Sequence, residues 1–156
     1  MNKLFTMFFT LFVLFCFALN AQAYINSESD ILLKMKIVKQ LESLDLASLV
    51  NKNEIIGYNA SNYQLACMGY SKSVSLTYDK LNEILKQLRM VRNFSEISDS
   101  EKSMQISKLY SDAESALTSL DRDSNAFVQD ARRILPTITY DRFQKKFRDY
   151  YYSLGL

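Results

Sequence analysis

The 156-residue chain has no histidine, no tryptophan, one proline and three glycines. The absence of histidine removes the usual general base near neutral pH, the commonest zinc ligand and the base of the familiar nucleophile triads. A glycine-rich phosphate loop is excluded as well, because the glycines are isolated at positions 57, 69 and 155. The composition therefore predicts a protein that is not an enzyme, with no catalytic residue, no cofactor and no metal site.

Cysteine is also scarce, and Cys16 and Cys67 are the two that the chain contains. Cys16 lies in an apolar stretch, Leu4 to Leu19, which follows a basic residue and precedes Ala21-Gln22-Ala23. A basic start, a short apolar stretch and small residues at its end are typical of a secretory signal peptide. Residues 1–23 are therefore predicted to be a signal peptide that is cleaved after Ala23. An uncleaved anchor is the less favoured alternative, because the stretch is shorter than the ~20 residues that span a bilayer.

Export would leave residues 24–156 as one helical domain in the periplasm or outside the cell. With Cys67 as its one cysteine, this domain has no internal disulfide, so packing must stabilise it. Cys67 itself is predicted to be a buried apolar residue rather than a reactive thiol. Removing residues 1–23 takes away one of 19 basic residues and none of 17 acidic residues. The nearly balanced charge that remains argues against a nucleic-acid partner.

Two long stretches repeat an apolar residue at steps of three and four, the spacing of one face of an α-helix. Helices are therefore predicted over 61–93 and 99–134, packed face to face as a long hairpin of coiled-coil type. Thr77 and Ser124 are the polar residues at the inward positions, which is too little polar surface to hold a charged substrate. The inward positions are Tyr63, Cys67, Tyr70, Val74, Thr77, Leu81, Ile84, Leu88 and Val91 on the first helix, and Ile106, Tyr110, Ala113, Leu117, Leu120, Ser124, Phe127, Ala131 and Ile134 on the second.

Two shorter helices are predicted beside this hairpin, over 28–50 and 139–153, with Pro136 ending the helix before the last one. The fold class is therefore all-α, an up-and-down four-helix bundle built on a long central hairpin. The last helix is long enough to cover only half of the hairpin, so the other half must rely on the first helix or on another chain. The buried line of the first helix is predicted at Leu33, Ile37, Leu41, Leu44 and Ala47, widened by Ile31, Met35 and Val38.

Two short motifs suggest other chemistry. The segment Asp121-Arg122-Asp123-Ser124-Asn125 resembles the start of a calcium loop, but Ala126 stands in place of the turn glycine and Arg132 in place of the closing glutamate. A solvated helical face, or a local break in the third helix at this point, is expected instead. Asn59 and Asn93 each begin an N-glycosylation triplet, which matters only in a eukaryotic host and also arises by chance in a chain rich in Asn and Ser.

Basic and aromatic residues are concentrated in the last helix, and acidic residues in the third. Read as a site, the last helix would bind an acidic partner protein or, less favourably, an anionic membrane surface. The structural alternative, which the sequence favours, places Phe143 and Phe147 in the core and pairs the bases with the third helix. The candidate partner-binding residues are Arg142, Lys145, Lys146, Arg148, Tyr151 and Tyr152.

The predicted function is the binding of another protein by an exported, non-enzymatic bundle of the immunity, inhibitor or adaptor type. Self-association through the uncovered half of the hairpin is a second way to bury that half. The alternative function, from another class, is a carrier that holds a small apolar ligand among the aromatic residues of the bundle core. Those aromatic residues are Tyr63, Tyr70, Phe127, Phe143 and Phe147.

Overall fold

The computed structural model describes residues 25–154. The predicted signal peptide, 1–23, lies outside the described residues. Over the described range the chain forms four α-helices and no strand, which confirms the all-helical prediction and is consistent with a four-helix bundle. None of these four helices combines the length and the apolar character needed to cross a membrane. They are α1 (Glu28–Glu42), α2 (Tyr58–Asn93), α3 (Asp99–Ile134) and α4 (Thr137–Ser153).

The first helix begins where the Asp30 amide donates a hydrogen bond of 3.2 Å to the Ser27 hydroxyl. Such a cap satisfies one of the amides that have no partner within the first turn. The predicted buried line of α1 is wrong at most of its positions, because Leu33 and Ala47 are exposed, Ile37 and Leu44 are partly buried, and only Leu41 of the line is buried. The residues expected only to widen that line face the core instead, because apolar residues on two neighbouring faces of this helix both follow steps of three and four. The buried residues of α1 are Ile31, Met35, Val38 and Leu41.

The predicted continuation of the first helix to residue 50 is also wrong, because α1 ends at Glu42. The Ser43 hydroxyl donates to the Gln40 carbonyl at 2.7 Å. The Asp45 carboxylate then accepts from a backbone amide and caps a separate 3₁₀ turn, Leu46–Leu49. Short polar side chains that bond to the nearby backbone compete with helix continuation, and here they turn the chain towards the second helix.

The second and third helices form the predicted hairpin, and each has 36 residues. At 1.5 Å per residue each is ~54 Å long. Ser98 caps α3 by accepting from the Glu101 amide at 3.2 Å. The third helix continues through residues 121–124 without the break that the sequence left open. In that stretch Asp123 accepts a hydrogen bond of 2.8 Å from Ser73 of α2, so the calcium-like segment contributes to the contact between the two helices.

The inward positions of the hairpin are buried as predicted over most of its length. On α2 they are all buried except Val91, which is partly buried. The second half of α3 is buried in the same way, apart from the partly buried Ile134 at its end. Cys67 is among the buried residues. In the first half of α3 the prediction is partly wrong, because Ile106, Tyr110 and Leu117 are only partly buried. The residues buried there beside Ala113 are Leu109 and Ala116, each one position before a predicted residue.

The first helix covers the half of the hairpin that lies near this turn. Glu28, in the first turn of α1, accepts from Arg89 and from Arg92 at the end of α2, both at 2.8 Å. The two helices therefore run antiparallel, and Ile31 and Leu88 are completely buried beside this contact. Within the chain, α1 covers part of this half, and self-association through the residues that stay exposed there remains a prediction.

The last helix covers the opposite half of the hairpin, as its length predicts, and begins at residue 137 instead of 139. Its Phe143 ring lies 6.1 Å from the Tyr63 ring and 5.6 Å from the Phe127 ring, between ring centroids. Phe147 approaches Tyr70 in the same way at 6.0 Å. Both phenylalanines are completely buried. These edge-to-face contacts stabilise beyond the area that they bury and fix α4 against the start of α2 and the end of α3.

Candidate partner-binding surface

The six residues predicted to bind a partner do not share one surface. Arg142, Lys145 and Ile138 are exposed on α4. They share one outer face of this helix, because positions three and four residues apart are neighbours on a helix surface. Lys146 is also exposed, at the edge of this face. Arg148 is half-buried and lies 4.0 Å from its neighbour Asp149.

Tyr151 does not belong to this surface, and its prediction as a partner-binding residue is corrected. Its ring is 4% exposed, and its hydroxyl lies 2.6 Å from the Tyr70 hydroxyl and 2.8 Å from the Ser124 hydroxyl. Burial raises the pKa of the Tyr151 phenol. We call these three hydroxyls the hydroxyl triangle. For Tyr152 the backbone is helical, and its side chain lies outside what the structure describes.

The expected pairing of the α4 bases with the acidic third helix is wrong for Arg142. Its guanidinium donates instead to Glu54, which precedes α2, at 2.6 Å. The other oxygen of the same carboxylate accepts from the Thr139 hydroxyl at 3.0 Å. We call this arrangement of Glu54, Thr139 and Arg142 the Glu54 clamp. It ties the segment before α2 to the first turns of α4.

The Glu54 clamp brings exposed apolar residues to one end of the molecule. Ile56 and Tyr58 flank Gly57, whose φ of +63° is in a region that other residues rarely adopt. The side chains of Ile56 and Tyr58 are 85% and 81% exposed, and that of Ile138, next to the clamp residue Thr139, is 68% exposed. We define the end surface as Ile56, Tyr58, Ile138, Arg142 and Lys145.

Sequence reasoning missed the apolar part of the end surface. Ile56 and Tyr58 fall in the stretch assigned to a connection, and Ile138 precedes the predicted start of the last helix. None of the three fits the inward spacing, and that mismatch was the available signal that they face solvent. Leu65 and Met68 are also exposed, further along α2.

The interior behind the end surface is filled by its own aromatic side chains. Tyr70 and Phe127 stack with ring centroids 4.9 Å apart and planes inclined by 4°. Phe127 also contacts Phe143 and Phe147. The rings proposed to hold an apolar ligand thus contact one another, which argues against the carrier alternative.

The titratable groups of the interior are few. Burial raises the pKa of the Cys67 thiol to about 11, which leaves little reactive thiolate near neutral pH. Burial also raises the pKa of the half-buried Asp121 carboxyl to about 6, and the charge of Lys34 acts in the opposite direction. Within residues 25–154, no three side chains of Cys, Asp or Glu come together in a way that could hold a metal ion.

Comparison of the chain with models of protein families, with curated proteins and with solved structures finds no match.

Proposed function

We propose that this chain is an exported, non-enzymatic helical protein that binds another protein through the end surface. The single observation that supports the proposal most is the exposure of Ile56 and Tyr58, both above four-fifths, on a segment that the Glu54 clamp holds in place. Tyrosine and arginine are enriched among the residues that dominate binding energy at protein interfaces.

The charge around the end surface favours a protein over an anionic membrane. Arg142 is paired with Glu54, and the exposed Asp141 lies beside it on α4. Lys145 and Lys146 remain as the bases of this helix that form no ion pair with any described residue. Recognition of anionic lipids by a basic cluster typically needs four to eight Lys or Arg. A partner protein with an apolar site bordered by a carboxylate is the better match.

Site-specific photo-crosslinking tests the proposal. A benzophenone amino acid is introduced at position 58 or 138 of the full chain, and the protein is exposed to the extracytoplasmic fraction of its own host. Position 104 is the matched control, because Met104 is an apolar residue in the second turn of α3 that is 68% exposed, as Ile138 is. We expect the same single crosslinked protein from positions 58 and 138, and none from position 104.

A second variant separates binding from folding. Ile56→Asp places a charge in the centre of the end surface without touching the core, so we expect crosslinking from position 58 to fall at least tenfold while the thermal midpoint is unchanged. Identical crosslinking from positions 58 and 104, or none at all, would contradict the proposal. Native mass spectrometry of the purified protein addresses the carrier alternative, which a co-purified small apolar molecule would favour.

A further inference from the structure

The segment at the start of α1 is fastened to both long helices of the hairpin. The Ile25 amide donates a hydrogen bond of 2.9 Å to Oε1 of Glu114 on α3, and the Ile25 side chain is 3% exposed. Three residues later, Glu28 forms ion pairs with Arg89 and Arg92 of α2. We call the contact between Ile25 and Glu114 the N-terminal anchor. It fixes the chain two residues after the predicted cleavage site.

The N-terminal anchor contains a negative charge without a matching positive one among the described residues. Glu114 is partly buried. Between residues 25 and 154, no lysine or arginine forms an ion pair with its carboxylate. The amide of Ile25 is a neutral donor, so it satisfies one oxygen and leaves the charge unbalanced. A cation beside this carboxylate would form the stronger, charge-assisted type of hydrogen bond.

We propose that cleavage of the signal peptide supplies this cation, because the α-ammonium group of Tyr24 then forms an ion pair with Glu114. The inference rests on the export that forms part of the proposed function. Hydrolysis of the Ala23–Tyr24 peptide bond adds one water molecule and leaves a carboxylate on Ala23 and an amino group on Tyr24, which is protonated near neutral pH. In the unprocessed chain the same nitrogen belongs to a neutral peptide bond, so Glu114 lacks this partner.

Covalent geometry keeps the new cation close to Glu114. The nitrogen atoms of consecutive residues are roughly 3–4 Å apart, and the Ile25 nitrogen is 2.9 Å from Glu114 Oε1. The α-ammonium nitrogen of Tyr24 is therefore at most about 7 Å from that oxygen. Opposite charges at this range attract each other, and partial burial strengthens the attraction. The processed protein is thus stabilised at its N-terminus by an ion pair that the precursor cannot form.

Selective blocking of the α-amino group tests the proposal on protein that its own host has exported and processed. The intact mass first identifies the N-terminal residue, which we expect to be Tyr24. Acetylation at about pH 6.5 then modifies the α-amino group ahead of the lysines, because its pKa is much lower than theirs. Urea unfolding gives the folding equilibrium constant before and after blocking. In the wild type we expect blocking to lower this constant roughly fivefold, as for a partly exposed ion pair.

Two variants make the outcome specific to Glu114. Glu114→Gln keeps an oxygen for the Ile25 amide but removes the charge, so we expect blocking to have no further effect in this variant. Asp130→Asn is the matched control, because it removes an exposed carboxyl from the same helix, and blocking should act there as in the wild type. The proposal is overturned if blocking leaves the wild type unchanged, or if it acts equally in the wild type and in Glu114→Gln.

The same measurements separate this inference from the binding role of the end surface. A processed chain that begins at a residue other than Tyr24 would overturn both the ion pair and the predicted cleavage site. Crosslinking from positions 58 and 138 would still decide the binding role. A loss of that crosslinking would leave the effect of blocking on stability as expected.

Discussion

Replacing Tyr151 with phenylalanine removes one hydroxyl from the hydroxyl triangle and leaves the ring in place. The lost contacts include those of 2.6 Å to Tyr70 and 2.8 Å to Ser124. Ser124 still donates to the Leu120 carbonyl at 2.8 Å and still accepts from Tyr70 at 2.9 Å. No donor of these two residues is left without an acceptor, so the large penalty for an unsatisfied buried group does not apply.

The expected loss is therefore about 1–2 kcal/mol in the free energy of unfolding, the net value of one to two buried hydrogen bonds. For a domain of this size that corresponds to a fall of about 3–5 °C in the thermal midpoint. Tyr150→Phe is the matched control, because its hydroxyl also donates one bond of 2.6 Å, to the Gln40 carbonyl, but at an exposed position. There the expected loss is about 0.5 kcal/mol or less, since water replaces the lost contact.

Urea unfolding followed by circular dichroism at 222 nm measures both losses under the same conditions. A double-mutant cycle with Tyr70→Phe then isolates the contact between the two phenols, for which we expect a coupling of about 0.5–1 kcal/mol. The reasoning is refuted if Tyr151→Phe costs no more than Tyr150→Phe, or if the effects at Tyr70 and Tyr151 are strictly additive.

Three further predictions concern the core and the glycines. Phe127→Ala should lower the free energy of unfolding in urea by about 3–5 kcal/mol, since four aromatic rings surround the side chain. A loss below about 1 kcal/mol would contradict this packing. Gly57→Ala should lower the thermal midpoint, because φ at this position is +63°. Gly69→Ala should raise the thermal midpoint through a stabilisation of about 0.5–1 kcal/mol, since a Cβ at this helical position meets nothing within 4 Å. Equal effects at the two positions would be inconsistent with this account. The Cys67 thiol should react with a thiol reagent at pH 8 much more slowly in the native protein than in urea, because burial raises its pKa to about 11; comparable rates would place the thiol at the surface.

The central hairpin was predictable because its information is redundant. The inward spacing is repeated over four heptads in each helix, and on α2 a register shift by one residue would bury charged side chains such as Lys80. In the first half of α3 the pattern is less decisive, and the structure buries Leu109 and Ala116 instead of their neighbours Tyr110 and Leu117. Pro136 and the cap at Ser98 mark the ends by local chemistry that does not depend on the rest of the fold. The bounds of α3 therefore follow from the sequence alone.

The first helix shows where such reasoning fails. Its sequence contains two apolar lines, and Leu32 and Leu33 fit a core position as well as Ile31 does. Only the position of the hairpin decides between them, and a single helix contains no information on the direction of its neighbours. Tyr151 was assigned to the wrong environment for a related reason. The sequence places Tyr70 and Ser124 at inward positions of the hairpin, but it does not indicate that their hydroxyls face Tyr151 of the last helix.

The end surface could not be predicted from periodicity, because it arises from a contact distant in sequence. Glu54 and Arg142 are separated by 88 residues and lie outside both inward lines. Nothing in the local sequence indicates that the segment before α2 and the start of α4 meet. An alternative approach is to ask which large apolar residues fit no buried position. Ile56, Tyr58 and Ile138 satisfy that criterion, and so do residues elsewhere, such as Leu76, Met90 and Met104.

Folding alone gives no reason for the end surface to be apolar. Exposing one large apolar side chain is common, but burying Ile or Tyr stabilises a protein by about 1.5–3 kcal/mol relative to exposure. The chain places its largest aromatic contacts inside the same end of the bundle and leaves Ile56 and Tyr58 outside, on a segment fixed by two side-chain bonds to Glu54. A fixed apolar segment loses little conformational entropy on binding, which is the property that increases affinity at a protein interface. The two bonds to Glu54 and the exposure of Ile56 and Tyr58 are therefore the reasons to propose a binding role for this segment.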